Sequence, residues 1–353
     1  MVLNKKRICI LFGGVSSEYE VSCNSAASIV ENISRDAFDI CLVGITKEGK
    51  WFLYSGGTAS MRDYTWVDDP GNIPAVISPD RSVHGLMVMG DEPKTIYIDC
   101  VFPVLHGKNG EDGTMQGLLE ISGIPYVGCG VLASSVCMDK VFTTMILDRA
   151  GIAHVRWRSF LASDELDYEK LSGELEEYLG YPMFVKPANA GSSVGITKVH
   201  NASELRPAFE LAFSNDSKII VEQAAVGKEL ECAGFGNGIP FISRVAEIIP
   251  KHEFYDYDAK YIDASVTVLP ADIPESLSEK MRETAAKAYV ALNCRGFSRI
   301  DFLWDEKSDT LYLNEVNTIP GFTAISMYPQ CMQDSGMSYS DLITNLINLA
   351  MEE

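Results

Sequence analysis

Short runs of apolar residues alternate with helix-type patterns over the first third of the chain. Strand-like runs occur at 7–12, 38–45 and 99–105, and a Gly-Gly turn after the first run leads into a helical pattern that reaches about residue 32. Because apolar strands that alternate with helices are typical of sheets covered on both faces, this order predicts a doubly wound parallel α/β sheet. The stretch 46–98 is rich in Gly, Pro and Asp and predicts small strands and loops.

From residue 134 onwards the pattern changes to shorter strands and helices of the α+β type. The predicted helices are one over 134–150, a charged surface helix over 164–179 with Ser163 as its N-cap, and two more over 202–213 and 274–292. The predicted strands lie at 183–186, in a segment that ends at 199, and at 218–222, 229–236 and 241–249. Two more strands and a final helix complete the chain.

The chain has 353 residues, which exceeds what one hydrophobic core usually serves. The changes of pattern divide it into an N-terminal Rossmann-like domain (1–138), a central domain (139–228) and a C-terminal domain (229–353). Within the last, 251–266 combines aromatic and charged residues and is suited to a mobile lid that excludes water from a bound substrate. The alternative for this segment is an exposed turn whose tyrosines fill a surface groove.

The charge and the cysteine pattern exclude several classes of protein. A formal charge of -20 and a pI near 4.7 disfavour a non-specific grip on nucleic acid or anionic lipid, both of which require a surplus of basic groups. The nine cysteines include no C-x-x-C pair and no zinc-type spacing, which favours reduced thiols in a cytosolic protein. No apolar run has the length of a signal-peptide core or a membrane span. These features predict a cytoplasmic protein with neither nucleic acid nor membrane as a partner.

Acidic and amide side chains interrupt the two apolar strands near the C-terminus. Arg299 and Asp301 share one face of the first strand, and Glu315 and Asn317 share one face of the second, because successive side chains of a strand point to opposite faces. Like charges on neighbouring strands repel, and a hard cation such as Mg2+ relieves the repulsion. The pattern predicts a magnesium site. A solvated strand end closed by an Asn-Thr-Ile-Pro-Gly turn is the alternative.

Small residues follow Lys186 as far as Gly195, so that backbone N–H groups can surround phosphate oxygens while the lysine supplies charge. A plain Gly/Ser turn is the alternative, because the Walker pattern is absent. Two further lysines, Lys140 and Lys260, are placed to meet phosphates. Possible acceptors for an adenine amino group and ribose hydroxyls follow the loop at Glu222, Gln223, Ala225 and Glu229.

In order and spacing, these segments resemble the D-alanine–D-alanine ligases of the ATP-grasp superfamily over nearly the whole chain. The likeness is carried by 13–22, 106–113, 138–140, 186–195, 257–261 and the two strands with the metal ligands. It implies a three-domain ATP-grasp fold, a homodimer, and ATP with two Mg2+ ions, or Mn2+, between the central and C-terminal domains. It also implies the reaction. ATP phosphorylates the carboxylate of one D-alanine, and the amine of a second attacks the acyl phosphate to give the dipeptide used in cell-wall peptidoglycan.

The resemblance also assigns roles by motif position. Glu18 would anchor the first ammonium group with Ser192 and Tyr261 orienting it, Arg299 and the Gly321 N–H would stabilise the oxyanion, and Ser326 would bind the second carboxylate. The remaining residues are implied as substrate contacts (His106, Met327), nucleotide contacts (Lys140, Lys186, Glu222, Gln223, Ala225, Glu229, Lys260) and metal ligands (Asp301, Glu315, Asn317). A structural role is the alternative for His106.

Three departures from the family pattern bear on specificity. Gln223 stands where many members have lysine, and Ala324 and Ile325 precede Ser326 where Ser-His is frequent. The lid tyrosine, Tyr261, favours an amine acceptor over D-lactate. Relatives that prefer D-serine often carry arginine where this chain has Met327, so D-alanine is favoured as the second substrate and D-serine stays open. Another ATP-grasp ligase and a nucleotide-binding regulatory protein are the remaining alternatives.

Overall fold

The computed structural model describes residues 5–191, 194–249 and 266–352. Its strands form three sheets that follow one another along the chain. Apart from Lys228 at the start of the third sheet, each sheet falls within one of the three predicted domains, whose exact limits stay a prediction. Among the described helices, none is long and apolar enough to cross a bilayer.

The first sheet has the order β6-β5-β4-β3-β2-β1-β7. Strand β1 pairs in parallel with β2 and β7, as the apolar runs predict, and the strands of the 46–98 region extend the sheet with antiparallel pairs. Its strands are β1 Lys6–Gly13, β2 Phe38–Ile45, β3 Trp51–Tyr54, β4 Ile73–Ile77, β5 Gly85–Val88, β6 Lys94–Tyr97 and β7 Cys100–Pro103. The accompanying helices are α1 Tyr19–Asn32, α2 Thr58–Arg62 and α3 Thr114–Ser122, with a 3-10 turn at Thr65–Asp68.

Two helices, α4 Val131–Met138 and α5 Lys140–Ala150, lead to the second sheet, so the prediction of one helix over 134–150 is wrong. The break falls at Asp139, whose extended backbone and capping carboxylate start a new helix. The prediction of Ser163 as an N-cap is also wrong, because α6 Tyr168–Leu179 is capped by Asp167. The antiparallel sheet has the order β10-β9-β11-β8 and consists of β8 Trp157–Leu161, β9 Met183–Pro187, β10 Thr197–Val199 and β11 Lys218–Gln223, with α7 Ala202–Phe213 packed on it.

The third sheet has the order β15-β14-β12-β16-β17, with β13 paired to β12. Its strands are β12 Lys228–Phe235, β13 Phe241–Ile242, β14 Ala246–Ile249, β15 Val266–Val268, β16 Phe297–Asp305 and β17 Thr310–Asn317. The helices are α8 Glu275–Ala291, α9 Met327–Asp334 and α10 Tyr339–Met351, two where one final helix was predicted. Apart from Val266, the predicted lid at 251–266 lies outside the described residues.

The first and third sheets share one hydrophobic core, whereas the second sheet has its own. Phe102 of β7 lies 6.3 Å from Phe297 of β16 and 5.9 Å from Phe322, measured between ring centroids. Tyr328 of α9 joins the same cluster at 5.3 Å from Phe297. The second sheet instead buries Phe209 of α7 among side chains of its own strands and helices. The N-terminal and C-terminal parts are therefore joined by a packed interior.

Candidate active site

Two neighbouring strands of the third sheet, β16 and β17, carry the predicted metal-binding residues. Arg299 lies opposite Asn317, and Asp301 lies opposite Glu315. Directly opposed residues of antiparallel strands point to the same face and have Cβ atoms about 4.5–5.5 Å apart. The structure therefore brings the four predicted side chains together.

A β-bulge in β17 produces this arrangement. Asp301 pairs with Glu315, but the residue after Asp301 pairs with Leu313, so Asn314 is an extra residue on β17. Leu313 and Val316 are both buried although they are three positions apart. Residues three apart in a regular strand face opposite sides, so the extra residue changes the face on which the following side chains lie. Glu315 consequently faces Asp301 and not the core.

Arg299 links the acids of this face in one ion-pair network. Its Nε and Nη2 atoms lie 2.8 and 2.7 Å from the two carboxylate oxygens of Asp301, and its Nε lies 3.1 Å from Glu231 Oε2. Asn317 donates through Nδ2 to Asp301 Oδ2 at 3.0 Å. Burial opposes the charge of Arg299, but Asp301 and Glu231 outweigh burial and raise the pKa of the guanidinium well above its usual range.

The donor atoms on this face fit a hard cation. In the described parts of the chain, no group of three or more His, Cys, Asp or Glu side chains is arranged to hold a metal ion. The donors here are two carboxylates and one amide, from Asp301, Glu315 and Asn317, and oxygen donors of this kind suit Mg2+ or Mn2+. Because Arg299 and Asn317 engage the oxygens of Asp301, a metal ion would have to displace part of these contacts.

Lys186 of β9 and Glu222 of β11 form an ion pair on the second sheet. Lys186 Nζ lies 2.6 Å from Glu222 Oε2, and the two side chains are 16% and 12% exposed. Such a buried pair contributes little net stability, because the loss of water around both charges offsets their attraction. The two predicted nucleotide contacts therefore lie together in a position where their charges are costly unless a ligand uses them.

Lys140 is the first residue of helix α5 and bonds to the Gly/Ser loop. Its Nζ donates to the carbonyl of Ala190 at 2.8 Å, and its backbone N–H donates to the carbonyl of Ala188 at 3.0 Å. The preceding residue, Asp139, accepts from two N–H groups of the first turn of α5 and also forms an ion pair with Lys218. This cap fixes where α5 begins, and therefore where the Lys140 side chain extends from the helix towards the loop.

The other predicted nucleotide contacts lie where the chain passes from the second sheet to the third. Gln223 ends β11, and its Oε1 accepts from Arg156 Nε at 3.1 Å. Ala225 lies in the connection between β11 and β12, and Glu229 lies in β12. All three are partly exposed, so a ligand could reach them.

The carboxylate of Glu18 lies between two glycines from different parts of the chain. A Cβ atom at Gly107 would lie 2.4 Å from Glu18 Oε2, and one at Gly191 would lie 2.8 Å from the same oxygen. Gly191 belongs to the Gly/Ser loop, so this loop reaches the start of α1, where Glu18 precedes the first helical residue. Glycine at both positions leaves room for the carboxylate, which is buried with 7% exposure.

Two family models cover most of the chain. The model described as "D-ala D-ala ligase N-terminus" matches residues 7–129, and the model described as "D-ala D-ala ligase C-terminus" matches residues 146–348. The chain belongs to the D-alanine–D-alanine ligase family. The ATP-grasp fold that the sequence motifs imply is therefore confirmed.

Family members with 43–49% identity to this chain differ in the second substrate that their names state. The D-alanine–D-alanine ligase of Thermoanaerobacter sp. (strain X514) is 49% identical, over 99% of this chain and 98% of the relative. The solved VanG D-Ala:D-Ser ligase from Enterococcus faecalis is 43% identical, with a TM-score of 0.89 over 98% of this chain and 100% of that one. The D-alanine-D-alanine ligase from Coxiella burnetii is 33% identical, with a TM-score of 0.87 over 99% and 95%.

In this member of the ligase family, His106 has protein partners on both ring nitrogens. Its Nδ1 lies 2.8 Å from the carbonyl of Ile319, and its Nε2 lies 3.2 Å from Ser25 Oγ. Because a carbonyl only accepts, Nδ1 carries the proton and Ser25 donates to Nε2. Burial lowers the pKa of His106, although the Glu18 carboxylate opposes the shift. The geometry therefore favours the structural alternative for His106.

The residues assigned to the second substrate lie at the start of helix α9. Gly321 lies close to Ser326, whose Oγ accepts from the Thr323 N–H at 3.0 Å and hydrogen-bonds to Thr323 Oγ1 at 2.8 Å. Met327 is buried with 6% exposure in the core shared by the first and third sheets. Its thioether therefore faces packed side chains, and its predicted contact with a substrate stays a prediction.

Three predicted residues lie outside the described residues, and three polar residues of the site were not predicted. The first group consists of Ser192, Lys260 and Tyr261. The second consists of Glu231, which lies opposite Asp301, and of Ser25 and Glu111, which bond to the loop after β17. Glu111 belongs to the motif 106–113, which was the only sequence signal that could have indicated it. Ser25 and Glu231 lie in ordinary helix and strand patterns.

Proposed function

We propose that this chain is an ATP-dependent ligase that joins two D-alanine molecules and releases ADP and phosphate. The dipeptide would serve the synthesis of cell-wall peptidoglycan. The observation that carries the proposal is the opposition of Asp301 and Glu315 across β16 and β17 beside Arg299 and Asn317. The acids are suited to binding divalent cations, and these cations together with Arg299 would screen two anions that must react with each other.

Asp301, Glu315 and Asn317 would hold two Mg2+ ions, with Mn2+ as an alternative. When bound, the metal would neutralise the triphosphate so that a carboxylate can approach it. Glu231 Oε2, 3.1 Å from Arg299 Nε, would keep the guanidinium on this face if a metal ion took up oxygens of Asp301. Arg299 would then stabilise the oxyanion of the reacting carboxyl group.

The nucleotide would lie between the second and third sheets. Lys140 and Lys186 bind phosphate oxygens, together with Lys260, and the backbone N–H groups of the Gly/Ser loop surround them. The adenine and ribose would meet the acceptors after β11, which are Glu222, Gln223, Ala225 and Glu229. Binding of a triphosphate by Lys186 would replace its present ion pair with Glu222.

Glu18 would anchor the ammonium group of the first D-alanine, in a buried position where an ionised partner is strongly preferred. Ser192 and Tyr261 would orient Glu18. As the second amine attacks the acyl phosphate, the Gly321 N–H and Arg299 stabilise the negative charge on the carbonyl oxygen, and Ser326 binds the second carboxylate. Phosphate then leaves, and the dipeptide remains.

A D-alanine–D-serine ligase is the second candidate function, and it is favoured by the likeness to the VanG D-Ala:D-Ser ligase. Against it, Met327 offers no donor to a hydroxyl group and is turned into the core. A methyl and a hydroxymethyl group differ by few contacts, so moderate discrimination is expected. With D-alanine and D-serine in equal amounts, we expect D-alanyl-D-alanine as the main product. Chromatography of the two dipeptides measures this.

The test of the reaction is phosphate release with ATP, Mg2+ and D-alanine. We expect phosphate release that depends on D-alanine and that equals, mole for mole, the amount of dipeptide formed. Absence of phosphate with D-alanine, alone or paired with D-serine or D-lactate, contradicts the ligase assignment. Release that requires a different amino acid would instead indicate another ATP-grasp ligase.

We also propose a homodimer in the cytoplasm. All nine cysteines carry free thiols, which supports a reducing compartment. Sedimentation velocity at micromolar concentration would show one species with twice the mass of the 38.8 kDa chain. A monomer across the concentration range that supports turnover would contradict the homodimer and leave the ligase activity untouched.

A further inference from the structure

The side-chain carboxyl group of Glu111 connects two loops that are distant in sequence. Its Oε2 accepts from the Gly107 N–H at 2.7 Å, and its Oε1 accepts from the Ile319 N–H at 2.9 Å. Gly107 follows the first sheet, and Ile319 follows β17 of the third sheet. Because each oxygen takes one backbone donor, the distance between the two loops is fixed by one rigid, planar group.

The other side of the Ile319 segment is also held by the N-terminal part of the chain. The Ile319 carbonyl accepts from His106 Nδ1, and the Phe322 N–H donates to Ser25 Oγ at 3.1 Å. Ser25 Oγ in turn lies 3.2 Å from His106 Nε2. The segment 319–322 is thus fixed at both of its ends by side chains of the N-terminal part of the chain.

Each loop that Glu111 holds lies next to a residue of the proposed reaction. Gly107 lies against the carboxylate of Glu18, so closely that a Cβ would lie 2.4 Å from its Oε2. Ile319 lies two residues after Asn317 and two before Gly321. The carboxyl group of Glu111 therefore lies between the loop beside the ammonium anchor, Glu18, and the loop that carries the oxyanion donor, Gly321.

We infer that Glu111 is a positioning residue, which sets the distance between Glu18 and the 317–321 loop and so aligns the first D-alanine with the Gly321 N–H. This inference rests on the proposed function. Glutamine at this position offers one acceptor and turns an N–H donor towards a second N–H donor, so one of the two loops must move. A displacement of about 1 Å in a reacting geometry can cost roughly 100-fold in rate.

The test compares Glu111→Gln with Asp112→Asn, a control from the same motif. Asp112 also bonds two backbone N–H groups, of Asn109 at 2.8 Å and Thr114 at 3.0 Å, but these are local, in its own loop and at the start of α3. We expect Glu111→Gln to lower kcat roughly 10- to 100-fold with less than about a threefold change in KM for ATP. Asp112→Asn should keep kcat within about threefold of wild type. Equal kcat values for wild type and Glu111→Gln would overturn the inference.

Hydrogen exchange of peptides over 317–323 gives a readout that needs no turnover. Glu111→Gln should speed exchange of the Ile319 amide at least about tenfold, and Asp112→Asn should leave it unchanged, because a protected amide exchanges only when its hydrogen bond opens. If Glu111→Gln does not fold, Glu111→Asp keeps both acceptor oxygens but withdraws them by one methylene group, and it should produce the same pattern. Unchanged exchange and kcat in Glu111→Asp would then contradict the inference.

The two proposals fail separately. If wild-type protein releases no phosphate with D-alanine, alone or paired with D-serine or D-lactate, the proposed function fails, whatever the exchange rates. If wild type turns over and Glu111→Gln matches it, only the positioning role is lost.

Discussion

The carboxyl group of Glu111 lies in surroundings that oppose its ionisation. Burial raises the pKa of Glu111 to about 8, and the neighbouring Glu18 carboxylate adds to the rise. The N–H groups of Gly107 and Ile319 and the charge of Arg299 act in the opposite direction but do not cancel it. The pKa of Glu111 is therefore raised although both of its oxygens accept backbone N–H groups, and in the neutral form the protonated oxygen keeps acceptor capacity.

A dependence of stability on pH follows from this shift. Between the ordinary value of 4.5 and about 8, the folded protein keeps a proton on Glu111 that the unfolded chain has lost. The free energy of unfolding therefore falls as pH rises through this window, by at most about 1.4 kcal/mol for each pH unit. Above the window Glu111 is ionised in both states, so it adds no further pH dependence. Urea unfolding at several pH values checks this against Glu111→Gln, which should lack the slope. Parallel curves for the two proteins would show that Glu111 ionises normally.

Replacement of Glu315 should affect catalysis much more than stability. Glu315→Gln should reduce kcat at least about 100-fold, because an anionic metal ligand is lost, while the free energy of unfolding changes by less than about 1 kcal/mol. The matched control is Glu306→Gln in the exposed turn of the same hairpin, which should alter neither quantity. Steady-state kinetics and denaturation provide the two measurements. A loss of stability as large as the loss in rate would make Glu315 structural.

At the level of single elements, helix α5 begins with its capping residue Asp139 followed directly by Lys140, a predicted nucleotide contact. Asp139→Ala should cost about 2 kcal/mol, because two N–H groups lose their acceptor and Lys218 loses its partner. It should also raise KM for ATP, since Lys140 is the next residue. The control Asp167→Ala removes the cap of α6 and should cost about 1 kcal/mol with no effect on KM. Equal KM values for the two variants would separate the cap from nucleotide binding.

The sequence predicted those elements whose capping residue and hydrophobic periodicity indicate the same bounds. Helix α7 has the predicted bounds because Asn201 caps it and its apolar residues recur at helical spacing on one buried face. The break between α4 and α5 was missed because Met138-Asp139-Lys140 contains neither Gly nor Pro, and the ion pair of the capping residue Asp139 with the distant Lys218 carries no sequence signal. Strand β8 was missed because it is an edge strand with mostly exposed or partly exposed side chains.

The residues of the candidate site divide in the same way. Asp301, Glu315 and Asn317 were predicted because acidic and amide side chains interrupt apolar strands. Glu111 and Ser25 could not be assigned a contact, because their partners are backbone groups about 200 to 300 residues away, and a backbone group carries no sequence signal. Long-range contacts of this kind follow only from the packed fold.

At the scale of the whole molecule, the shared core of the first and third sheets predicts that these parts lose structure together. Phe102→Leu should speed hydrogen exchange in peptides of both β1 and β16, because the removed ring packs against Phe297 and Phe322. Phe209→Leu in the separate core of the second sheet should speed exchange in β9 and β11 only. Exchange by mass spectrometry measures both. Spread of the Phe209→Leu effect into β16 would contradict the division.

The additional residue in β17 makes this strand tolerant of one kind of genetic change and intolerant of another. The side chain of Asn314 is exposed, so many substitutions there should be neutral. Loss of Asn314 itself would leave Leu313 and Glu315 adjacent, opposite the adjacent Phe302 and Asp301, so the later side chains would keep their faces on a regular strand. Loss of Val316 would instead turn Asn317 towards the interior, so natural variants of this hairpin should lack residue 314 far more readily than residue 316.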